Sequence, residues 1–168
     1  MSGIFVLGWI MDRPGHFGGA MLLFFGIMYF LPRGDTLQTL SLSVTAAGIA
    51  AAMSMKPDMD KKFFFGVFHR CWVTHSLLTV LVATAGTFVL FSYMLNMGLL
   101  SYYAALAVFC AIGSHVLLDS FTRMGVPLYG PFDNKMRGPR WFRGSNPLVN
   151  YTLLAAGGLM MLFYYKVI

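Results

Sequence analysis

Apolar residues in this chain come in long uncharged runs rather than in the stripes of a soluble helix. Between Arg13 and Arg33 no residue carries a fixed charge, and 18–31 is strongly apolar. A second uncharged run, 36–55, has the length of a membrane-crossing helix. From 76 to 118 only His115 can carry a charge, and that stretch is too long for one crossing. The only good turn signal inside it, Asn96-Met97-Gly98, divides it into helices over 76–95 and 99–118. A fifth run covers 144–165, with Asn146-Pro147 near its start. The pattern predicts an all-α fold: a polytopic membrane helix bundle of about five transmembrane helices, with 1–168 forming a single integral membrane domain. Gly125, Pro127, Gly130, Pro131, Gly138, Pro139 and Gly144 mark 122–147 as an irregular, basic loop. The opening stretch, 1–11, is apolar but lacks a leading positive region. Asp12-Arg13-Pro14-Gly15 then follows with no small-residue cleavage site, so an interfacial or re-entrant piece is expected rather than a signal peptide.

Composition agrees with a lipid solvent. Hydrophobic residues make up 58% of the 168 and charged residues 11%, against roughly 25% charged in a soluble domain. Glutamate is absent; the acids are Asp12, Asp35, Asp58, Asp60, Asp119 and Asp133. The net charge of +6 is first a statement about topology. With the N-terminus cytoplasmic, Arg13, Lys56, Lys61, Lys62, Arg70, Arg123, Lys135, Arg137, Arg140 and Arg143 all fall inside, leaving only Arg33 and Lys166 outside. An N-inside, C-outside arrangement follows. Cys71 and Cys110 form no pattern and are expected as free thiols in helices.

That topology also gathers the polar chemistry onto one face of the bilayer. His16 opens the first helix, Asp58 and Asp60 follow the second, His69 lies in the loop, His75 opens the third, and His115 and Asp119 close the fourth; the opposite face has only Asp35. Pro57-Asp58-Met59-Asp60 can turn two carboxylates toward one cation, or can simply balance Lys61 and Lys62 in solvent. Thr74 is a candidate cap for the third helix, with Ser76 in its first turn. A single histidine here is equally a half-wet interfacial side chain. His115 and Asp119 stand four apart, so a helix puts imidazole and carboxylate on one face. Such a pair holds a metal, lets the aspartate orient a histidine ligand, or ties helices by a buried hydrogen bond. Together, neutral imidazoles and carboxylates suit zinc or another first-row divalent ion. Seven candidates exceed the usual four ligands of one zinc, leaving open two or more ions, or ligands plus a general base. The loop's basic residues with Phe132, Trp141 and Phe142 suit the headgroup boundary, as an anchor or as a wall that draws an anionic headgroup. With so little soluble chain, nucleic acid is not an expected partner.

At these residues the chain resembles the YdjM-type family, LexA-regulated inner-membrane metal-dependent hydrolases. The matching stretches are Gly15-His16, Pro57-Asp58-Met59-Asp60, His69-Arg70, Thr74-His75-Ser76-Leu77-Leu78 and Ser114-His115-Val116-Leu117-Leu118-Asp119, continuing through Thr122 and Gly125-Val126-Pro127-Leu128 to Pro131. The resemblance extends distantly to zinc-dependent phospholipase C and single-strand nucleases. It implies metal ligands at His16, Asp58, Asp60, His69, His75, His115 and Asp119. Two departures stand out. Lys61 occupies the place of a histidine in the family pattern, and the glutamate that tends to follow the glycine matching Gly144 is missing; a site short of two ligands holds fewer metals or is inactive.

The expected function is metal-dependent hydrolysis at the cytoplasmic membrane surface, on a phosphoester such as an anionic lipid headgroup. Asp58 or Asp60 is the candidate ligand or general base, and Arg70 or Lys61 the group that stabilises developing charge. The rival is a non-catalytic membrane subunit that uses the cluster as a structural staple or assembles in a homo- or hetero-oligomer. Its thirteen methionines and eighteen glycines suit close helix contacts. A metal or proton transporter fits less well, because the polar residues collect at one interface instead of running through the bilayer.

Overall fold

A computed structural model of the chain describes residues 13–31, 37–57 and 70–167. The expectations for 1–11 and for Asp58, Asp60, Lys61 and His69 lie outside these residues. The described residues form six helices and no strand: α1 (Arg13–Phe30), α2 (Leu37–Met53), α3 (Trp72–His75), α4 (Leu77–Val89), α5 (Leu99–Phe121) and α6 (Pro147–Tyr164). α4 continues into one π-helical stretch, Leu90–Met94. Among the described residues, three helical segments are long and apolar enough to cross a bilayer, namely Leu77–Met94, α5 and α6, and α2 is a shorter apolar helix.

The elements keep the expected order, with boundaries shifted for local reasons. α1 starts at Arg13 rather than at 18, because Pro14 fits the first turn, where no N–H is needed. The cap of α4 is Ser76, not Thr74. Ser76 is extended (φ −114°, ψ 163°), which ends α3 and frees its hydroxyl to accept from the Thr79 N–H at 3.2 Å. Thr74 lies inside α3. α5 runs on past 118 to Phe121, so Asp119 lies within the helix with His115. α6 begins at Pro147, where the Asn146 side chain accepts from the Leu148 N–H at 3.0 Å. Cys110 is a buried thiol in α5, whereas Cys71 precedes α3 as its cap; both are free.

α5 is the central element and is mostly buried, while α4 presents Leu77, Leu81, Val82 and Val89 outward. That outward leucine face has no place in water and suits hydrocarbon. α5 packs against α1, α2 and α4, and α1 also packs along α6. Phe24, Phe25, Met28, Ala46, Ala50, Ala107 and Ala111 form the main core. α1 and α6 touch backbone to backbone. A side chain at Gly18 would overlap the Leu153 and Leu154 main chain, and one at Gly157 would overlap the Gly18 carbonyl. Glycine is required there because lipid-embedded helices associate by close approach.

The 122–146 connection is irregular, held by isolated pairings of Thr122 with Phe142 and Val126 with Arg137. Arg137 donates to Asp133 and holds that carboxyl below its ordinary range. Phe132 and Trp141 point outward from the loop, 93% and 77% exposed.

Candidate metal centre

Asp119 stands at the middle of a buried polar cluster. α1 brings His16, the end of α3 brings His75, and α5 brings His115 one turn before Asp119; all four side chains are closed to solvent, as is Arg70. His16 Nε2 lies 3.7 Å from Asp119 Oδ1. His75 Nε2 lies 3.4 Å and His115 Nε2 3.7 Å from Oδ2. The His16 and His115 rings stack, with centroids 3.7 Å apart and planes within 10°. His16, His75 and His115 are therefore not half-wet interfacial side chains but interior groups.

The far side of the His115 ring fixes its tautomer, and the far side of the His75 ring meets a hydroxyl. His115 Nδ1 is 2.7 Å from the Ser54 carbonyl at the end of α2, and a carbonyl can only accept, so this nitrogen carries the hydrogen. His75 Nδ1 lies 2.8 Å from the Thr74 hydroxyl, which is also 3.2 Å from the Cys71 carbonyl; when the hydroxyl donates to that carbonyl, it accepts from Nδ1. A neutral ring that donates through Nδ1 turns an Nε2 lone pair toward an Asp119 oxygen. Lone pair facing carboxylate needs a cation between, either a proton or a metal ion. A histidine that donates Nδ1–H to an oxygen and offers Nε2 is the usual arrangement of a metal-bound imidazole.

The residues fit a divalent ion. The ligand atoms of His16, His115 and Asp119 all lie within 4.8 Å of one another, and all three residues are buried. The 3.4–3.7 Å between imidazole nitrogens and carboxylate oxygens exceeds a hydrogen bond. The shortest equals the edge of about 3.3–3.4 Å expected for a tetrahedron with bonds of about 2.0–2.1 Å to zinc, and the other two are a few tenths of an ångström longer.

Arg70 is the cluster's other charge. Nη2 sits 2.6 Å from Asp119 Oδ1, and Nη1 donates to Thr122 Oγ1 at 2.8 Å, to the Gly125 carbonyl at 2.9 Å and to the Asp119 carbonyl at 3.4 Å. Its backbone is left-handed (φ 56°), a conformation that costs a non-glycine residue roughly 1 kcal/mol. The guanidinium thus ties the end of α5 and the start of the loop to the carboxylate.

Of the residues singled out from the sequence, His16, His75, His115, Asp119 and Arg70 come together. Sequence reasoning did not find the Ser54 carbonyl, Thr74 as the partner of His75, or Thr122 and Gly125 as anchors of Arg70. Backbone acceptors leave no mark on side-chain identity, although Thr74-His75 and Thr122 were visible in the motifs.

The fold and the cluster define a helical membrane protein whose interior carries a His–Asp–Arg centre able to hold a metal ion. The chain belongs to the YdjM inner membrane protein family, whose sequence model matches residues 11–167. Neither a curated protein nor a solved structure matches it.

Proposed function

We propose that this protein is a multi-pass metal-dependent hydrolase of the inner membrane that acts on a phosphoester, such as a lipid headgroup, at the cytoplasmic face. One observation carries the reading: three imidazoles from separate helices turn toward one buried carboxylate, with Nδ1 of two of them hydrogen-bonded to oxygen. His16, His115 and Asp119 would hold the ion, with His75 completing the set. Zinc suits these donors and would supply Lewis acidity and a bound water acidic enough to act near neutral pH. Ser54 keeps the His115 ring in the binding tautomer, Thr74 holds the His75 ring, and Arg70 keeps the Asp119 carboxylate turned inward. Asp58 and His69 adjoin the cluster in sequence, Asp58 just after the buried Pro57 and His69 just before Arg70; Asp58 or Asp60 serves as further ligand or general base. The basic loop, with Trp141 and Phe132 outward, suits an anionic headgroup.

The test is the metal content of protein purified without added metal, measured beside phosphodiester hydrolysis. A stoichiometric ion and hydrolysis, both lost in His115→Ala and Asp58→Ala, are expected. Metal-free protein whose two variants fold normally would end the hydrolase reading. A second reading, a non-catalytic subunit stapled by the cluster, is favoured by the 2.6 Å Arg70–Asp119 pair, which already gives the carboxylate a counter-charge.

A further inference from the structure

α1 buries one face in the core and leaves the other along a groove. Gly19, Leu22, Gly26 and Phe30 follow one another down that face, with Leu118 of α5 and Leu153 of α6 as walls. The cavity holds about 350 Å³. Its lining is hydrocarbon except for Ser114, whose hydroxyl is spent on the Ala111 carbonyl at 3.1 Å. Gly26 opens the middle, since a methyl group there would meet nothing within 4 Å, and Gly19 leaves the room that Leu118 fills.

Position and length narrow the occupant. One end of the groove is at Gly19, one turn from His16, and at Ser114 and Leu118, the residues just before His115 and Asp119. From there it follows α1 to Phe30, about 16 Å at 1.5 Å per residue. That is about half of a hydrocarbon core of roughly 30 Å, the depth of one leaflet's chains. A peptide laid in such a wall would leave its own N–H and C=O groups unmet. A second copy's helix, about 10 Å across, fills on the order of 1,000 Å³ over this length, far more than the groove offers. A methylene chain has no polar groups to satisfy and matches the length.

We infer that this groove seats one acyl chain of a membrane lipid, with the lipid's headgroup end at the His16–His115–Asp119 centre. The inference gives the proposed hydrolase a lipid as its substrate class and rests on that reading for the headgroup's fate, while the seat of the chain is tested separately. The probe is a phospholipid with a photoreactive diazirine in mid-chain, reconstituted with the intact protein and mapped by mass spectrometry. Labelling of 19–30 and 114–118 is expected several-fold above that of Leu81 and Val82, which are exposed on the outward face of α4. Gly26→Leu, which fills open space, is expected to cut the groove labelling several-fold while melting temperature and metal content stay unchanged. Even labelling of groove and α4, or indifference to Gly26→Leu, would overturn the inference. Groove labelling on metal-free, inactive protein would keep the acyl seat and remove the hydrolase reading.

Discussion

Arg70 and Asp119 are an ion pair closed to water, and such a pair stabilises less than the cost of breaking it. Removing the guanidinium strands a carboxylate among three imidazoles; removing both charges is far milder. Arg70→Met is therefore expected to destabilise the fold by about 3–5 kcal/mol, read as a lower melting temperature in detergent. Arg70→Lys is expected to recover only part of that loss, because one ammonium cannot reach the Asp119 carboxylate, the Thr122 hydroxyl and the Gly125 carbonyl together. A lysine variant as stable as the parent would mean that the fork geometry is idle. If the centre binds zinc, added zinc raises the melting temperature of the parent by mass action and leaves His115→Ala unmoved.

At the scale of elements, the break between α3 and α4 aims the site. Thr79 Oγ1 lies within bonding distance of the Trp72 and Val73 carbonyls, at 3.0 and 2.8 Å, and ties the short helix to the start of α4. His75, the last residue of α3, is thereby held pointing inward. The α1–α6 contact carries a separate prediction. Gly157→Leu must push α6 off the Gly18 backbone, and a fall in melting temperature together with loss of a cysteine cross-link between α1 and α6 is expected. Gly158, one residue on, has open space around it. Gly158→Ala should leave the cross-link intact and be neutral or stabilising by up to about 1 kcal/mol, the difference in helix propensity. Equal effects at both positions would mean that close approach is not what holds these helices.

For the whole molecule, the basic residues predict an orientation, and the site's face depends on it. With Cys71 and Cys110 replaced, a cysteine placed at Lys135 is expected to react with a membrane-impermeant maleimide only after the inner membrane is opened. One at Lys166 is expected to react in intact spheroplasts. The opposite pattern would put the cluster at the outer face and remove the cytoplasmic assignment.

The chain by itself determined the helical class and the approximate place of every described helix except the short α3, because a bilayer demands uncharged segments that satisfy their own backbone, and run length records that demand directly. It also put His115 and Asp119 on one face, since four residues is a property of the helix alone. Tertiary structure alone decided what those groups meet. The Ser54 carbonyl reaches His115 across 61 residues, and Arg70 reaches Gly125 across 55. A buried charge or ring takes its partner from whichever backbone the packing delivers, and carbonyls are the same in every residue. The groove beside Gly26 is likewise a space between helices, written in no single segment.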